Sequence, residues 1–342
     1  MASARGGSDP AESGSRRGLG VLGVGLPEAV GLVAGYLLDA GLGDPRRYHP
    51  VAGFGRFAAA VERRVYSPTR AAGTGFTAIA VGVPVVGAAA IAALTRRRPV
   101  TRCAVVAAAT WAVLGGASLR REAGAMASAL ECGDLDEART RLPSLCGRDP
   151  SGLGEAELAR ATIESVAENT SDAVVAPLVW GAVAGLPGLL GYRAVNTLDA
   201  MVGHRSQRYR RFGTPAARLD DLANLVPARL TALLTVAVAP LAGGDRCGAA
   251  RIWWRDRYRH PSPNAGQCEA AMAGALGVRL GGRNVYHGRV EQRPHLGDGR
   301  RPAEVDIPRA VRVSRLVGVA ALGLATARVL WTARRRAARS RT

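Results

Sequence analysis

The sequence contains no lysine: all 46 of its basic residues are arginine. That absence excludes a Schiff-base mechanism and a Walker-type phosphate loop, both of which need a lysine ammonium. Aromatic residues make up only 5% of the chain, leaving few platforms on which the bases of a single-stranded nucleic acid could stack. The five cysteines (Cys103, Cys132, Cys146, Cys247 and Cys268) are odd in number, scattered and without a CxxC pair. They supply no disulfide framework and no zinc-site spacing. A GxSxG elbow, a dinucleotide-binding glycine fingerprint and internal repeats are absent as well.

What is present is apolar. Hydrophobic residues make up 48% of 342, which excludes disorder of the whole chain. The net charge of +19 invites a nucleic-acid reading, but the apolar residues are gathered into long blocks, and that points to a membrane. The clearest block, Ala71 to Leu94, has 24 residues and no charge. At about 1.5 Å per residue it is long enough to cross a hydrocarbon core of roughly 30 Å. Arg96, Arg97, Arg98 and Pro99 close it, and the uncharged block Cys103 to Leu119 follows, so the pair reads as a tight helical hairpin. Leu19 to Leu38 carries only Glu28; it is long and lacks a small-residue cleavage site, unlike a cleavable signal peptide. Val313 to Trp331 has Arg315 and Arg328 near its ends, where long side chains snorkel. Ala173 to Tyr192 and Leu222 to Gly244 are ambiguous. The expected fold is therefore all-α: a polytopic integral membrane protein with about four to six membrane helices, room for re-entrant helical hairpins, and polar catalytic loops. Residues 1–18 read as a disordered leader, 19–331 as one membrane-embedded catalytic domain, and 332–342 as a basic tail at the anionic inner leaflet.

Four polar stretches separate the blocks. In the first, Asp44-Pro45 and His49-Pro50 fix turns just after a membrane helix. The second, Arg120 to Asp172, holds 11 acidic and 6 basic residues, against the trend of the chain. Glu164, Glu168 and Asp172 recur at i, i+4 and i+8, so a helix stacks three carboxylates on one face. Like charges stacked in this way repel unless a cation or arginine partners meet them, and Mg²⁺ suits an oxygen-only site shared with phosphates. The third stretch follows Gly185-Leu-Pro-Gly188, a turn signal inside an apolar block. If that block is a hairpin, Asn196 and Asp199 return to the side of the Glu164–Asp172 face; a straight span separates them by the membrane. Beyond it, Arg218, Asp221 and Asn224 lie at i, i+3 and i+6 at the start of an apolar helix, with Arg229 further on. The fourth stretch, His260-Pro-Ser-Pro-Asn-Ala-Gly266 with Glu269 behind it, is a dense polar constellation, and Asn264 opens a small-residue helix whose N–H groups suit an anion.

These strings in this order resemble the CobD/CbiB family of membrane adenosylcobinamide-phosphate synthases. The matching residues are Gly43-Asp-Pro with His49-Pro-Val, Glu168-Asn-Thr-Ser-Asp172 and Ala194-Val-Asn-Thr-Leu-Asp199. Arg218-Leu-Asp-Asp-Leu-Ala-Asn224 with Pro227-Ala-Arg-Leu230, His260 to Gly266, and Glu269 to Leu276 complete them. The resemblance covers about residues 19 to 330. Arg193 stands where lysine is expected, and Gln267-Cys268 where Trp-Pro is more usual. The first departure removes lysine-specific chemistry but not phosphate binding.

The resemblance implies an ATP- and Mg²⁺-dependent amide ligase that joins aminopropanol, or its phosphate, to the free carboxylate of adenosylcobyric acid. A carboxylate does not react with an amine at neutral pH, so ATP must first activate it, and the phosphate charge calls for Mg²⁺ and cationic donors. On this reading Glu164, Glu168, Asp172 and Asp221 supply metal ligands, with Asp199 as a further metal ligand or catalytic group. Arg193, Arg218 and Arg229, with Asn196 and Asn224, hold the nucleotide and phosphates. His260 takes the proton of the attacking ammonium beside Asn264, with His49 as the alternative base. The implied partners are adenosylcobyric acid, aminopropanol (or its phosphate) and the lipid bilayer, with association with other late cobalamin-assembly enzymes allowed and nucleic acid excluded. The expected location is the cell membrane with a cytoplasmic active face. A transporter or channel with an intramembrane Asp/Arg path is the competing class. One site containing all four strings requires both ambiguous blocks to be re-entrant, or the site to lie among the membrane-depth helices.

Overall fold

The computed structural model describes residues 25–44, 49–204, 206–286 and 289–339. The leader at 1–18, the start of the Leu19 block and the last three residues of the tail lie outside the described residues. In chain order the helices are α1 (Leu26–Leu42), α2 (Pro50–Val65), α3 (Arg70–Leu94), α4 (Pro99–Val113), α5 (Gly116–Glu131) and α6 (Leu135–Arg141). They continue as α7 (Glu155–Thr170), α8 (Ala176–Leu198), α9 (Tyr209–Phe212), α10 (Thr214–Val238), α11 (Arg246–Asp256) and α12 (Ala265–Leu276). An antiparallel hairpin of β1 (Leu280–Tyr286) and β2 (Arg289–Leu296) precedes the long α13 (Asp306–Arg339). The basic tail up to Arg339 is thus the end of α13.

Local chemistry sets the helix starts. Pro50 and Pro99 occupy first-turn positions, where no N–H is needed, and the His49 Nδ1 accepts from the Val51 N–H at 3.1 Å. Thr69 and Asp134 cap their helices by accepting from the N–H groups of Ala72 and Glu137.

Among the described residues five helical stretches are long and apolar enough to cross a membrane: Arg70–Leu94, Pro99–Glu131, Glu155–Gly203, Thr214–Ala242 and Asp306–Arg339. Their outer faces carry large apolar side chains in the open, with Val86 68% and Leu94 78% exposed, as a lipid-facing surface requires. The expected all-α polytopic membrane fold is what the chain forms, with the small β-hairpin added.

Tight helix contacts rest on small residues. Gly31 and Gly35 let α1 lie on α4; a Cβ at Gly31 would stand 2.7 Å from that of Val106. Arg102 donates to the mid-block Glu28 at 2.5 Å and to the Ala92 carbonyl at 2.9 Å, which explains how an acid is tolerated there. The Arg96–Arg98 turn is as tight as expected, but its two helices then part. Helix α3 packs on α8, and α4 on α1.

The decisive element is α8. Gly185 sits at φ 63°, ψ −145°, outside helical geometry, and the chain reverses there. A Cβ at Gly188 would collide with the Trp180 carbonyl, eight residues earlier, which a straight helix would hold about 12 Å away. The Asn196 Nδ2 consequently reaches the Asp172 Oδ2 at 3.4 Å, although 24 residues separate them. Ala173–Tyr192 is a helical hairpin, the alternative that returns Asn196 and Asp199 to the acidic face.

The block after Leu222 behaves differently. It belongs to one unbroken helix, α10, yet the fourth polar stretch still reaches the site. The reason is that α11 and α12 form a second helical hairpin that folds back along α10. Gly248 faces Gly274 across it, and the Trp253 Nε1 donates to the Gln267 Oε1 at 2.9 Å. The Asn264 Nδ2 then donates to the Asp221 carbonyl at 2.8 Å. The site therefore lies among the helices, and only one of the two ambiguous blocks needs to be re-entrant.

The re-entrant reading predicts sidedness. In a chain whose five native cysteines are replaced, Glu155→Cys and Gln207→Cys should both react with a membrane-impermeant maleimide from the same side of sealed vesicles. Labelling from opposite sides would show that α8 crosses the membrane straight.

Candidate active site

Two π-helical turns shape the acidic face. The first, Ser171–Val175, continues α7, and the second, Asp199–Gly203, ends α8. Such turns widen the helix and re-aim side chains, and they recur at functional sites. Gly203 has no side chain because a Cβ there would collide with the Asp199 carboxylate. Between these turns, the first half of α10 and the start of α12 lies a cavity of about 220 Å³. Five carboxylates line it (Glu168, Asp172, Asp199, Asp220 and Asp221) together with Ser171, Asn224, Ser262, Asn264 and Cys268.

Amide groups bind the acids to one another. Asn196 reaches Asp172 at 3.4 Å and Asp220 at 3.5 Å, and the Asn224 Nδ2 donates to the Asp220 Oδ2 at 3.0 Å. The Tyr192 hydroxyl in turn donates to the Asn224 Oδ1 at 2.9 Å. Pro227 removes the N–H that would bond the Ala223 carbonyl, and the Trp180 Nε1 takes that place at 3.0 Å, tying α10 to the hairpin. The Ser171 hydroxyl is buried in the cavity wall without a protein partner.

Behind the cavity lies a buried ionic layer. The Arg148 Nη2 meets the Glu164 Oε2 at 2.5 Å with both side chains almost fully enclosed. Glu164 Oε1 accepts from the Gly281 N–H at 2.7 Å, while Arg160 donates to the carbonyls of Gly281 and Arg283, so β1 is clamped onto α7. His260 stands 3.1 Å from the Arg293 Nη1 and 3.8 Å from the Glu269 Oε1, and its Nδ1 accepts from the Ser262 N–H at 3.0 Å. Burial, reinforced by the Arg293 guanidinium, pushes the His260 imidazole down to about 4. Burial, with the Glu164 and Glu168 charges, holds the Glu269 carboxyl well above the usual carboxylate range.

Of the residues singled out in the sequence, Glu168, Asp172, Asp199, Asp221, Asn224 and Asn264 line the cavity. Asn196 supports it from one layer back, and Arg229 reaches the Asn264 Oδ1 at 3.5 Å. The Arg193 Nη1 reaches the Asn196 Oδ1 at 3.4 Å, and its Nε is buried without a partner. Glu164 is turned away into the ion pair with Arg148, so the three-carboxylate face is divided: one acid goes to the ionic layer and two to the cavity. His260 is enclosed and already engaged, His49 caps α2 and does not line the cavity, and Arg218 is exposed. The Ser262 Oγ accepts from the N–H groups of both Asn264 and Ala265, so the expected anion site at the start of α12 is already capped. Among the described residues no three His, Cys, Asp or Glu side chains converge closely enough to hold a metal unaided. Asp220 is a cavity residue that the i, i+3 spacing of Asp221 and Asn224 does not pick out; its own signal is the i, i+4 spacing to Asn224. Arg148 and Arg293 carried no local signal, since their roles arise from contacts across 16 and 33 residues.

The CobD/Cbib protein family model matches residues 32–314. The chain belongs to the CobD/CbiB family. It is 55% identical over 300 residues to the cobalamin biosynthesis protein CobD of Mycobacterium tuberculosis (strain CDC 1551 / Oshkosh), covering 87% of this chain and 94% of that one. It is 47% identical to the protein of that name from Geobacter metallireducens, with 78% and 86% of the two chains covered. With that from Klebsiella pneumoniae the identity is 41%, over 84% and 93%. No solved structure matches. Membership carries a role in cobalamin biosynthesis, and the family strings between Glu168 and Cys268 are the ones that supply this cavity's lining.

The depressed imidazole of His260 has a stability consequence. Because its folded value of about 4 lies below the ordinary 6.5, the unfolded chain takes up a proton first as pH falls. Its contribution is complete above about pH 6.5 and is lost as pH falls towards 4. Glu269, raised, acts with the opposite sign in both proteins, so the difference between wild type and His260→Gln isolates the histidine. In detergent, thermal unfolding should show the wild type losing stability relative to the variant on acidification, by roughly 3 kcal/mol at most. Parallel pH profiles would contradict the assignment.

Proposed function

We propose that the chain is an amide ligase of cobalamin biosynthesis that uses ATP and Mg²⁺ to join 1-amino-2-propanol, or its O-phosphate, to the free carboxylate of adenosylcobyric acid. The observation that carries the reading is the convergence of the second, third and fourth polar stretches on one acid-lined cavity. An ion path would need a continuous run of available polar groups, whereas the acids of this helical face end at Glu164, which Arg148 and the Gly281 N–H saturate.

The donor set fits the metal. Five carboxylates with Asn side chains form an all-oxygen environment, and Mg²⁺ characteristically binds one or two protein carboxylates while keeping waters and substrate phosphates. Because no three such side chains converge among the described residues, the ion would rest on Asp172 and Asp220, which Asn196 bridges, with water (through which Glu168 would act) and substrate phosphate completing its shell. The ion, when bound, neutralises charge developing on the transferred phosphorus.

The chain's own groups do the rest. The Arg193 Nε, buried without a hydrogen-bond partner, would donate to a phosphate oxygen, and Arg229, which reaches Asn264, would bind a further one. The corrinoid carboxylate attacks ATP to give an acyl phosphate or acyl adenylate, with ADP or pyrophosphate leaving. Asp199, on the π turn and without a side-chain hydrogen bond, takes the proton from the aminopropanol ammonium. The free amine attacks the acyl carbon, the amide forms, and phosphate or AMP departs. His260 keeps a positioning role: it fixes Ser262, whose hydroxyl caps the helix that presents Asn264.

In membranes supplied with ATP, Mg²⁺, aminopropanol phosphate and adenosylcobyric acid, Asp172→Asn and Glu168→Gln should each lower amide formation by about 10²-fold and raise the Mg²⁺ needed for half-maximal rate. Leu241→Ala, on the outer surface, should leave the rate unchanged. An unchanged rate and Mg²⁺ dependence in both acid variants, or vesicle uptake with no ATP-dependent amide, would overturn the proposal.

A further inference from the structure

A second cavity, of about 250 Å³, lies at the start of α7 beneath the β-hairpin and has the opposite character. Arg160, Arg279, Arg283, Arg301 and His295 line it, with Glu157 as the one acid. That acid is committed: its Oε2 accepts from the Gly154 N–H at 3.1 Å in a capping box. Arg160 is committed too, holding the carbonyls of Gly281 and Arg283 and so building the floor. Among the described residues, no side-chain partner is found for Arg279, Arg283 or Arg301. Elsewhere arginines are spent on carboxylates, as Arg300 and Arg309 are on Asp306. Three uncompensated guanidiniums in one concavity repel each other, and an anion relieves that cost.

The backbone is shaped to admit one. The pairing of β1 and β2 slips between Leu280 and Gly282, a bulge built on two left-handed glycines, Gly281 at φ 80° and Gly282 at φ 99°. A Cβ at Gly282 would stand 3.1 Å from both the Arg160 Nη1 and the His295 Cε1, so a side chain there would fill the cradle. Glycines that bring backbone up to a concavity rimmed by arginine are the ordinary means of approaching a phosphate.

We propose that this cavity is a phosphate-binding site, separate from the acidic cavity and taking a phosphate group carried by a small soluble molecule or by a lipid headgroup. Arg160, Glu164 and Glu168 stand at i, i+4 and i+8 on α7, so the two cavities lie about 12 Å apart along the helix with the Arg148–Glu164 pair between them. The site does not depend on the ligase reading: an anion occupying it would be felt through Gly281 and Glu164 whatever reaction the acidic cavity performs.

The test uses the full chain in neutral detergent without divalent cations, titrated with inorganic triphosphate in a calorimeter. The wild type should bind one equivalent, and the Arg279→Gln/Arg283→Gln double variant should bind at least tenfold more weakly. Arg63→Gln/Arg64→Gln, which removes the same charge from the exposed last turn of α2, should bind like the wild type. Arg283→Lys, which keeps the charge but loses the fork, should fall between them and serves if the double variant does not fold. The source follows from native mass spectrometry with added phosphatidylglycerol: lipid retained by the wild type, lost in the double variant and displaced by triphosphate marks a headgroup site. Triphosphate binding with no such lipid retained marks a soluble ligand. Equal weakening in the surface and pocket variants, or neither probe responding to the pocket substitutions, would overturn the proposal.

Discussion

Carboxylates brought together at membrane depth are costly, and the arrangement of this protein follows from how that cost is met. Five of them face one cavity, and among the described residues no guanidinium lines it. Asn196 and Asn224 bridge Asp172 and Asp220, Tyr192 and Trp180 hold the bridging helices in place, and the nearest arginines stand one layer back. Such a shell stabilises the acids without neutralising them. It leaves the charge to be matched by whatever binds, which on the proposed reading is a divalent cation with phosphates.

The contrast with Glu164 makes the point. It belongs to the same helical face as Glu168 and Asp172, yet it is saturated by Arg148 and the Gly281 N–H. A buried pair of this kind commits both partners, and removing either leaves an uncompensated charge at a cost of about 3–5 kcal/mol. Glu164 therefore fixes the β-hairpin over the helices, while its neighbours one and two turns further on remain available. The single ladder of acids is a structural anchor at one end and a binding surface at the other.

Much of this was legible in the sequence because it is local. Uncharged blocks of membrane length, the Gly185-Leu-Pro-Gly188 turn signal and the i, i+4 ladder of acids each follow from periodicity and turn chemistry. The family strings located the cavity residues from Glu168 to Asn264. What could not be read depends on long-range contacts. The pairing of Arg148 with Glu164 and of Arg293 with His260 is decided by where the β-hairpin lands, and it changes His260 from a free imidazole near neutral pKa into an enclosed one at about 4. The choice of Asp220 over Asp221 as the partner of Asn196 and Asn224 depends on how α10 is rotated against α8. The return of the fourth stretch along an unbroken α10 needed the α11–α12 hairpin, whose Gly248–Gly274 contact has no signature beyond small residues.

The central claim, that the acid-lined cavity is where cation and nucleotide meet, can be read without turnover. Manganese in place of magnesium, titrated in the presence of ATP and followed by electron paramagnetic resonance on the purified chain, reports bound cation directly. The account predicts a tightly held equivalent that depends on ATP and is lost in Asp220→Asn, while Glu137→Gln on the outer surface retains it. A bound equivalent that survives Asp220→Asn with unchanged affinity would contradict it.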